Sequence, residues 1–121
     1  MNTEMMQAAP AKYLKALAGK DLEGILALYA DDAIVEDPVG TDPHVGIKAI
    51  REFYQGVVGF DLEAELDGQL RIAANEVAFP FIVKNITGGL AMHIIDVFKF
   101  NDEGKIISMR AFWGESNAVP L

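Results

Sequence analysis

Apolar side chains recur at helical spacing in the first half of the chain, whereas apolar and polar side chains alternate in the second half. The pattern predicts a first helix from about Pro10, which suits a first turn, to Gly19, which suits a helix end. Asp21 can cap a second helix, and a third is predicted after a loop containing Gly40 and Pro43. The three apolar stripes are Tyr13, Leu14 and Leu17; Leu22, Ile25, Leu26 and Tyr29; and Ile47, Ile50, Tyr54 and Val57.

The strands are predicted from alternation with a period of two residues. Turn-forming residues at Thr87–Gly89 and Asn101–Gly104 indicate antiparallel hairpins, and Pro80 indicates an edge or a bulge. The sequence therefore predicts one α+β domain, residues 1–121, in which three N-terminal helices pack on one face of a curved, mostly antiparallel sheet. Such a sheet makes a cone with an apolar interior. The predicted strands are Ala33–Glu36, Leu62–Ile72, Glu76–Val83, Leu90–Phe100 and Lys105–Gly114.

Composition and charge exclude several classes of function. The chain has 121 residues, 51% of them hydrophobic, and a net charge of −8, which repels nucleic acid and anionic membranes; we expect neither as a partner. Thiolate catalysis and zinc–thiolate sites are excluded because the chain has no cysteine. His44 and His93 lie far apart without a metal-ligand spacing, so no metal site is expected. No signal peptide or membrane-spanning run is visible, and we expect a cytoplasmic protein.

Asp96 lies on the apolar face of its predicted strand. That face carries Met92, Ile94, Asp96, Phe98 and Phe100, and the opposite face carries His93, Ile95, Val97 and Lys99. Because desolvation disfavours a charged carboxylate, the pKa of Asp96 should rise, and a protonated carboxyl group can donate a hydrogen bond. A buried Asp that caps a turn or pairs with a basic side chain remains the alternative interpretation.

A second carboxyl group, Asp37, is predicted to face the same interior. It shares the side of Val35 at the end of the short strand, whereas Glu36 faces the other way and Asp31 and Asp32 are predicted to be solvated turn residues. An Asp before Pro is also a common turn former. If both carboxyl groups face the cone, their different surroundings would suit Asp37 to accept a proton and Asp96 to donate a hydrogen bond.

Aromatic side chains complete the predicted interior. The three tyrosines, Tyr13, Tyr29 and Tyr54, each fall on an apolar stripe, where packing alone would explain any one of them. Buried together, they could bond one another through their hydroxyl groups. On the strands, Phe79 and Phe81 share one face, and Met109, Ala111 and Trp113 continue the face of Asp96. A concave apolar site with few polar groups suits a flat, lipophilic ligand.

Several segments resemble the ketosteroid isomerases (steroid delta-isomerases) of the NTF2-like, or SnoaL-like, superfamily. The most specific is Val35–Gly40, which reads Val-Glu-Asp-Pro-Val-Gly, within the longer matching stretch Asp21–Gly40. The resemblance covers nearly the whole chain. The other matching segments are Ala49–Tyr54, Ala74–Glu76, Ile95–Asp96 and Ser108–Ala111.

The resemblance implies an isomerase that moves a carbon–carbon double bond into conjugation with the ketone of a 3-oxo-steroid. Asp37 would be the general base, and Tyr13 and Asp96 would form an oxyanion hole for the dienolate oxygen. Tyr54, with Tyr29 behind it, would orient Tyr13. Phe79, Phe81, Met109 and Trp113 resemble residues that line the pocket. The resemblance also implies a small apolar steroid as the partner, no cofactor and no metal, and a homodimer, with which an outer face carrying Ile95, Val97 and Phe112 is compatible.

Other functions of the same fold stay open at the level of the sequence. The chain could sequester a lipophilic ligand without catalysis, or act as a polyketide cyclase or an epoxide hydrolase, because fold alone does not decide function. A carrier would have no use for two carboxyl groups on one apolar cavity. An epoxide hydrolase would need an arginine between two carboxylates, and Arg51, Arg71 and Arg110 are not predicted to face the interior.

Overall fold

The computed structural model describes residues 2–121, which form three α-helices and eight strands. The helices are α1 (Thr3–Ala18), α2 (Leu22–Leu26) and α3 (Ile47–Val57). The strands are β1 (Tyr29–Glu36), β2 (His44–Val45), β3 (Leu62–Leu66), β4 (Arg71–Ala73), β5 (Glu76–Asn85), β6 (Leu90–Phe100), β7 (Ile106–Phe112) and β8 (Ala118–Pro120). A short 3-10 turn, Glu115–Asn117, precedes β8. The predicted α+β class and helix-on-sheet arrangement are confirmed.

Helix α1 is longer than predicted. The side-chain oxygen of Asn2 accepts hydrogen bonds from the backbone N–H groups of Glu4 (2.9 Å) and Met5 (3.3 Å), so the helix is capped at Asn2 and begins at Thr3, well before Pro10. The prediction that Pro10 opens the helix is therefore wrong, since a strong cap followed by helix-forming residues outweighs one proline. The end at Gly19 is confirmed, because the N–H of Gly19 donates to the carbonyl of Lys15 at 2.9 Å.

Tyr29 belongs to a strand and not to the second helix. Asp21 caps α2 as predicted, accepting a 3.0 Å hydrogen bond from the N–H of Gly24, but the helix ends at Leu26. β1 then starts at Tyr29, four residues earlier than predicted, so exposed Asp31 and Asp32 are strand residues and not turn residues. Tyr29 is nevertheless buried in the core, where its hydroxyl group contacts that of Tyr54 on α3.

The strands form one curved, mixed and mostly antiparallel sheet, in the order β2-β1-β7-β6-β5-β3. Only β1 and β7 run parallel, and β2 and β3 are the edges, so the sheet stays open across the described residues. The hairpins β5–β6 and β6–β7 are antiparallel as predicted. The predicted strand Leu62–Ile72 is divided into β3 and β4, and β2 and β8 were not predicted.

Pro80 explains the division between β3 and β4. Both strands pair with β5, and Pro80 lies at the gap between them, where its carbonyl accepts from the N–H of Asp67 at 2.9 Å. Proline has no N–H with which to continue a ladder, so an interruption of the partner strand at this position is expected. The predicted edge strand or bulge is not found, because β5 is a central strand whose register with β6 is unbroken; Pro80 instead lies where the partner on its other side is interrupted.

The core lies between the helices and the concave face of the sheet. The predicted alternation on β6 holds: Phe98 and Phe100 are buried inward, and His93, Ile95 and Lys99 are exposed outward. The helical stripe residues Tyr13, Leu14, Leu17, Ile50 and Tyr54 are buried as predicted. Within residues 2–121, no helix is both long and apolar enough to cross a membrane.

Candidate active site

A cavity of about 550 Å³ opens between the helices and the concave face of the sheet. Its wall is apolar except for a few polar side chains, as is usual for small-molecule sites. Asp37, Asp96 and Tyr13 all lie in this wall, so the structure brings together three residues that are far apart in the sequence. The remaining polar wall groups are Tyr54, Trp113 and Asn85.

Asp96 is buried among apolar groups in the middle of the sheet. It is only 1% exposed, and its backbone pairs with Phe79 on β5 and with Ala111 on β7. Its Oδ1 atom has no hydrogen-bond partner among residues 2–121. Burial, and to a smaller degree the charge of Asp37, raises the pKa of Asp96 well above the ordinary value of a carboxyl group. Burial therefore favours the protonated form of Asp96, and a protonated carboxyl group can donate a hydrogen bond.

Asp37 follows β1 and is held by a side chain from the end of β7. The indole N–H of Trp113 donates to Oδ1 of Asp37 at 2.8 Å. The parallel pairing of β1 with β7 explains this contact, because Val35 pairs with Met109, and both strands then end on the same side of the sheet. Burial raises the pKa of Asp37, while the hydrogen bond from Trp113 and the nearby His44 oppose that rise. Asp37 can thus exist as a carboxylate that is a better base than a solvated one.

The three tyrosine hydroxyl groups form one buried chain of hydrogen bonds. The hydroxyl oxygens of Tyr13 and Tyr54 are 3.0 Å apart, and those of Tyr54 and Tyr29 are 2.6 Å apart. Tyr54 thus lies in the middle, Tyr13 reaches the cavity, and Tyr29 lies behind. Burial raises the pKa of each phenol well above the ordinary value, so all three stay protonated. If Tyr29 donates to Tyr54 and Tyr54 to Tyr13, the Tyr13 proton is free to bond a ligand.

Some residues predicted to line the pocket do not reach it. Tyr29, Phe79 and Met109 are buried behind the wall, whereas Tyr54, Phe81 and Trp113 line the cavity. Phe79 packs edge-on to the rings of Tyr13 and Phe98, which fill the closed end of the cone. Alternation along the strands correctly predicted that Phe79 and Met109 face inward. Alternation specifies the face of the sheet, however, and not how near a side chain lies to the cavity.

Other wall residues were missed by sequence reasoning. Phe53 and Gly56 on α3, Phe60 after it, and Asn85 at the end of β5 all line the cavity. The ring of Phe53 packs against Tyr54 on one side and against His44 on the other, with centroid distances of 4.9 and 4.5 Å. The alternation of β5 could have indicated Asn85, because it shares the face of Phe81 and Val83.

Arg51 and Arg110 form ion pairs outside the cavity. Arg110 donates to Oε1 of Glu36 at 3.0 Å on the outer side of the sheet, and Arg51 forms an ion pair with Glu23 at 2.6 Å. No arginine or lysine lines the cavity in the described part of the chain. In that same part, no three histidine or carboxylate side chains lie close enough together to hold a metal ion.

Comparisons with known proteins agree with the fold. A model of the SnoaL-like domain matches residues 11–109. The chain is 43% identical over 116 residues to the steroid Delta-isomerase of Nocardioides simplex, with 94% of each protein covered. It is 28% identical to the epoxide hydrolase LasB of Streptomyces lasalocidi, over 88% of this chain and 40% of that protein. The chain also aligns with the solved structure of SalBIII, an epoxide hydrolase/cyclase-like enzyme with a role in pyran ring formation in the polyether salinomycin. The TM-score is 0.91 at 26% identity, and the alignment covers 99% of this chain and 98% of that one.

Proposed function

The chain belongs to the SnoaL-like family and, within it, to the ketosteroid isomerases, and we propose that it isomerises 3-oxo-steroids. The double bond would move from the delta-5 to the delta-4 position, into conjugation with the ketone, by intramolecular proton transfer through a dienolate. The observation that carries this proposal is the pair of carboxyl groups on one apolar wall. Asp37 has a hydrogen-bond donor beside it, whereas Asp96 has an unpartnered oxygen and a raised pKa.

Asp37 is the proposed general base. It takes a proton from the carbon between the ketone and the double bond, and the electron pair of that C–H bond moves toward the ketone oxygen. The same carboxyl group then returns the proton two carbons away, so the steroid and the enzyme are both restored. A base whose pKa is raised by burial matches a weak carbon acid better than a solvated carboxylate does.

Tyr13 and Asp96 are the proposed oxyanion hole. As the ketone becomes a dienolate, negative charge accumulates on its oxygen, and hydrogen bonds to that oxygen strengthen most in the transition state. Both donors are buried, so water competes little for them. Tyr54 and Tyr29 position the Tyr13 hydroxyl through the chain of hydrogen bonds, and they do not touch the steroid oxygen themselves.

Among residues 2–121 no arginine or lysine lines the cavity, and this distinguishes the proposal from epoxide hydrolysis. Two relatives are epoxide hydrolases or resemble them, so the fold alone permits that reaction. An epoxide hydrolase of this fold would need an arginine between its two carboxylates. The carboxyl groups of Asp37 and Asp96 have no such residue between them among residues 2–121, and the identity with the steroid isomerase is much higher.

A homodimer is also proposed, and the outer face of the sheet is its interface. Ile95 and Phe112 are paired across β6 and β7, and they are 47% and 43% exposed. Exposed apolar side chains next to one another are typical of protein–protein contacts. Light scattering after size exclusion should give twice the monomer mass of 13.2 kDa, and a monomer at micromolar concentration would contradict the dimer.

The test of the main proposal is an ultraviolet assay of a delta-5 3-oxo-steroid, because the conjugated product absorbs where the substrate does not. The wild-type protein should convert the substrate, and Asp37→Asn should not. Asp32→Asn is a matched control, since Asp32 is an exposed carboxyl group on β1, the strand that ends just before Asp37. Tight binding of steroid without conversion by the wild-type protein would identify a carrier and refute the isomerase.

A further inference from the structure

The open end of the cavity carries a polar side chain on an otherwise apolar row. The inward side chains of β5 run from Phe79 at the closed end through Phe81 and Val83 to Asn85. Asn85 lines the cavity, and its partner on the neighbouring strand is the apolar Leu62. Neither the proposed base nor the proposed oxyanion hole involves Asn85, so its place in the wall has no role in the chemistry described above.

One half of the Asn85 side chain is used by the turn that follows β5. Oδ1 accepts from the N–H of Gly88 at 2.8 Å, and the backbone carbonyl accepts from the N–H of Gly89 at 2.8 Å. The turn bond needs only an acceptor, which Asp supplies equally well. The Nδ2 donor has no acceptor among the groups of residues 2–121, and the turn bond of Oδ1 specifies which way the amide is oriented.

The distance between Asn85 and the oxyanion hole suits the two ends of one elongated ligand. Asp96 pairs with Phe79, and Asn85 is six residues farther along β5, which is about 20 Å of extended strand. Part of that length is occupied by the two side chains and by a hydrogen bond of about 2.9 Å at each end. The remainder is available to the ligand. The wall between them is apolar, formed by Phe81, Ile94, Val83 and Met92. The wall therefore matches a molecule with an apolar body and one oxygen at each end.

We infer that Nδ2 of Asn85 donates a hydrogen bond to an oxygen at the end of the steroid opposite its 3-oxo group. Asn85 thus makes the protein selective for 3-oxo-steroids that carry an acceptor, such as a ketone, on the far ring. This inference rests on the proposed function, because the 3-oxo group must occupy the oxyanion hole. Apolar neighbours such as Leu62 strengthen a hydrogen bond at this place.

The test compares the binding of two product steroids that differ only in the far oxygen. Androst-4-ene-3,17-dione has a 17-ketone, and androst-4-en-3-one has none. Trp113 is the single tryptophan and lines the cavity, so its fluorescence reports binding without any turnover. In Asn85→Asp, the turn acceptor stays and the donor is lost. We expect the preference for the 17-ketone to fall by about 3- to 10-fold relative to wild type, the size of one neutral hydrogen bond.

Asn101→Asp is the matched control for the turn. Oδ1 of Asn101 accepts from the backbone of Glu103 and Lys105 in the β6–β7 turn, away from the cavity. This variant should keep the wild-type ratio of the two Kd values. Unchanged thermal stability of both variants would show that the turns remain intact. If Asn85→Asp keeps the wild-type ratio while it is folded, the inference is wrong.

Turnover separates this inference from the proposed function. For the delta-5 substrates, loss of the distal bond should raise KM for the 17-ketone with little change in kcat, since that bond is equal in the ground and transition states. A wild-type protein that binds both steroids but converts neither would refute the isomerase, and the Kd ratios would still decide the role of Asn85. Normal turnover with no effect of Asn85→Asp on KM or Kd would refute only the distal bond.

Discussion

Replacing Asp96 with Leu should lower activity and raise stability at the same time. Leu branches at Cγ as Asp does, is somewhat larger and carries no polar atom, so the cavity wall stays filled. The wild-type side chain is 1% exposed and has an oxygen without a partner among residues 2–121, an arrangement that costs free energy in the folded state. A group that destabilises the fold and lies in a cavity is expected to be retained for its chemistry.

The expected fall in kcat and the expected gain in the free energy of unfolding follow from separate interactions of Asp96. Loss of one oxyanion donor costs about 2.7–4 kcal/mol in the transition state, so kcat should fall by about 10²–10³-fold. Removal of a buried unsatisfied polar group relieves a penalty of about 1–3 kcal/mol in the free energy of unfolding. Asp32→Asn, at an exposed position, should change neither quantity measurably.

The gain in stability should depend on pH, with a definite sign. Burial raises the pKa of Asp96 in the folded state above its unfolded value of about 4. Between these two values the unfolded chain loses the proton and the folded chain keeps it, so the wild-type protein loses stability as pH rises. Asp96→Leu lacks this loss, so its advantage over wild type should be larger at pH 7 than near pH 4, where only the penalty of the unpartnered polar group remains.

Two measurements on the same samples check this prediction. Urea denaturation at pH 4 and pH 7 gives the free energy of unfolding, and the ultraviolet assay gives kcat. A variant that is slower and less stable at pH 7 would mean that Asp96 is a structural residue. A variant with wild-type kcat would remove Asp96 from the oxyanion hole.

Three further predictions test the other parts of the site. Asp37→Asn should lower kcat by about 10²–10⁴-fold while a planar phenol still binds; equal loss of binding would indicate a collapsed pocket. Trp113→Phe removes a bond that lowers the pKa of Asp37, so the acidic limb of the kcat/KM profile should move to higher pH, and an unmoved limb would contradict this role. Tyr54→Phe should slow turnover less than Tyr13→Phe, and the double variant should be no slower than Tyr13→Phe alone; additive losses would argue against a shared chain.

Local patterns predicted the type and the faces of most elements. The bounds of β6 agree with the alternation in Leu90–Phe100, and Asp96 lies on the face that the period of two residues assigns to it. Local patterns were less reliable at element ends. α1 begins at Thr3 because of the Asn2 cap, and Tyr29 lies in a strand because α2 ends at Leu26. In both cases the conformation of a few residues at the helix terminus set the boundary.

Local sequence patterns could not predict contacts between residues that are distant in the sequence. Nothing near Asp37 or Trp113 in the chain indicates their 2.8 Å hydrogen bond, which depends on the parallel pairing of β1 with β7. Depth along the cavity was equally inaccessible: Phe79 and Phe81 share a face, but Phe79 is behind the wall and Phe81 is in it. The middle position of Tyr54 in the chain of hydroxyl groups likewise required the helices to be packed on the sheet.

The sequence by itself determined the class of the fold, the apolar face on which Asp96 lies, and the family that the chain resembles. These follow from periodicity and from specific segments such as Val35–Gly40, which act over a few residues. Only the tertiary structure decided how deep each side chain lies, which group bonds Asp37, and that Asn85 lies at the far end of the same wall. The physical reason is that the depth of a side chain in the cavity and its hydrogen-bond partner depend on strand register and sheet curvature. Both are determined by the packing of the whole core.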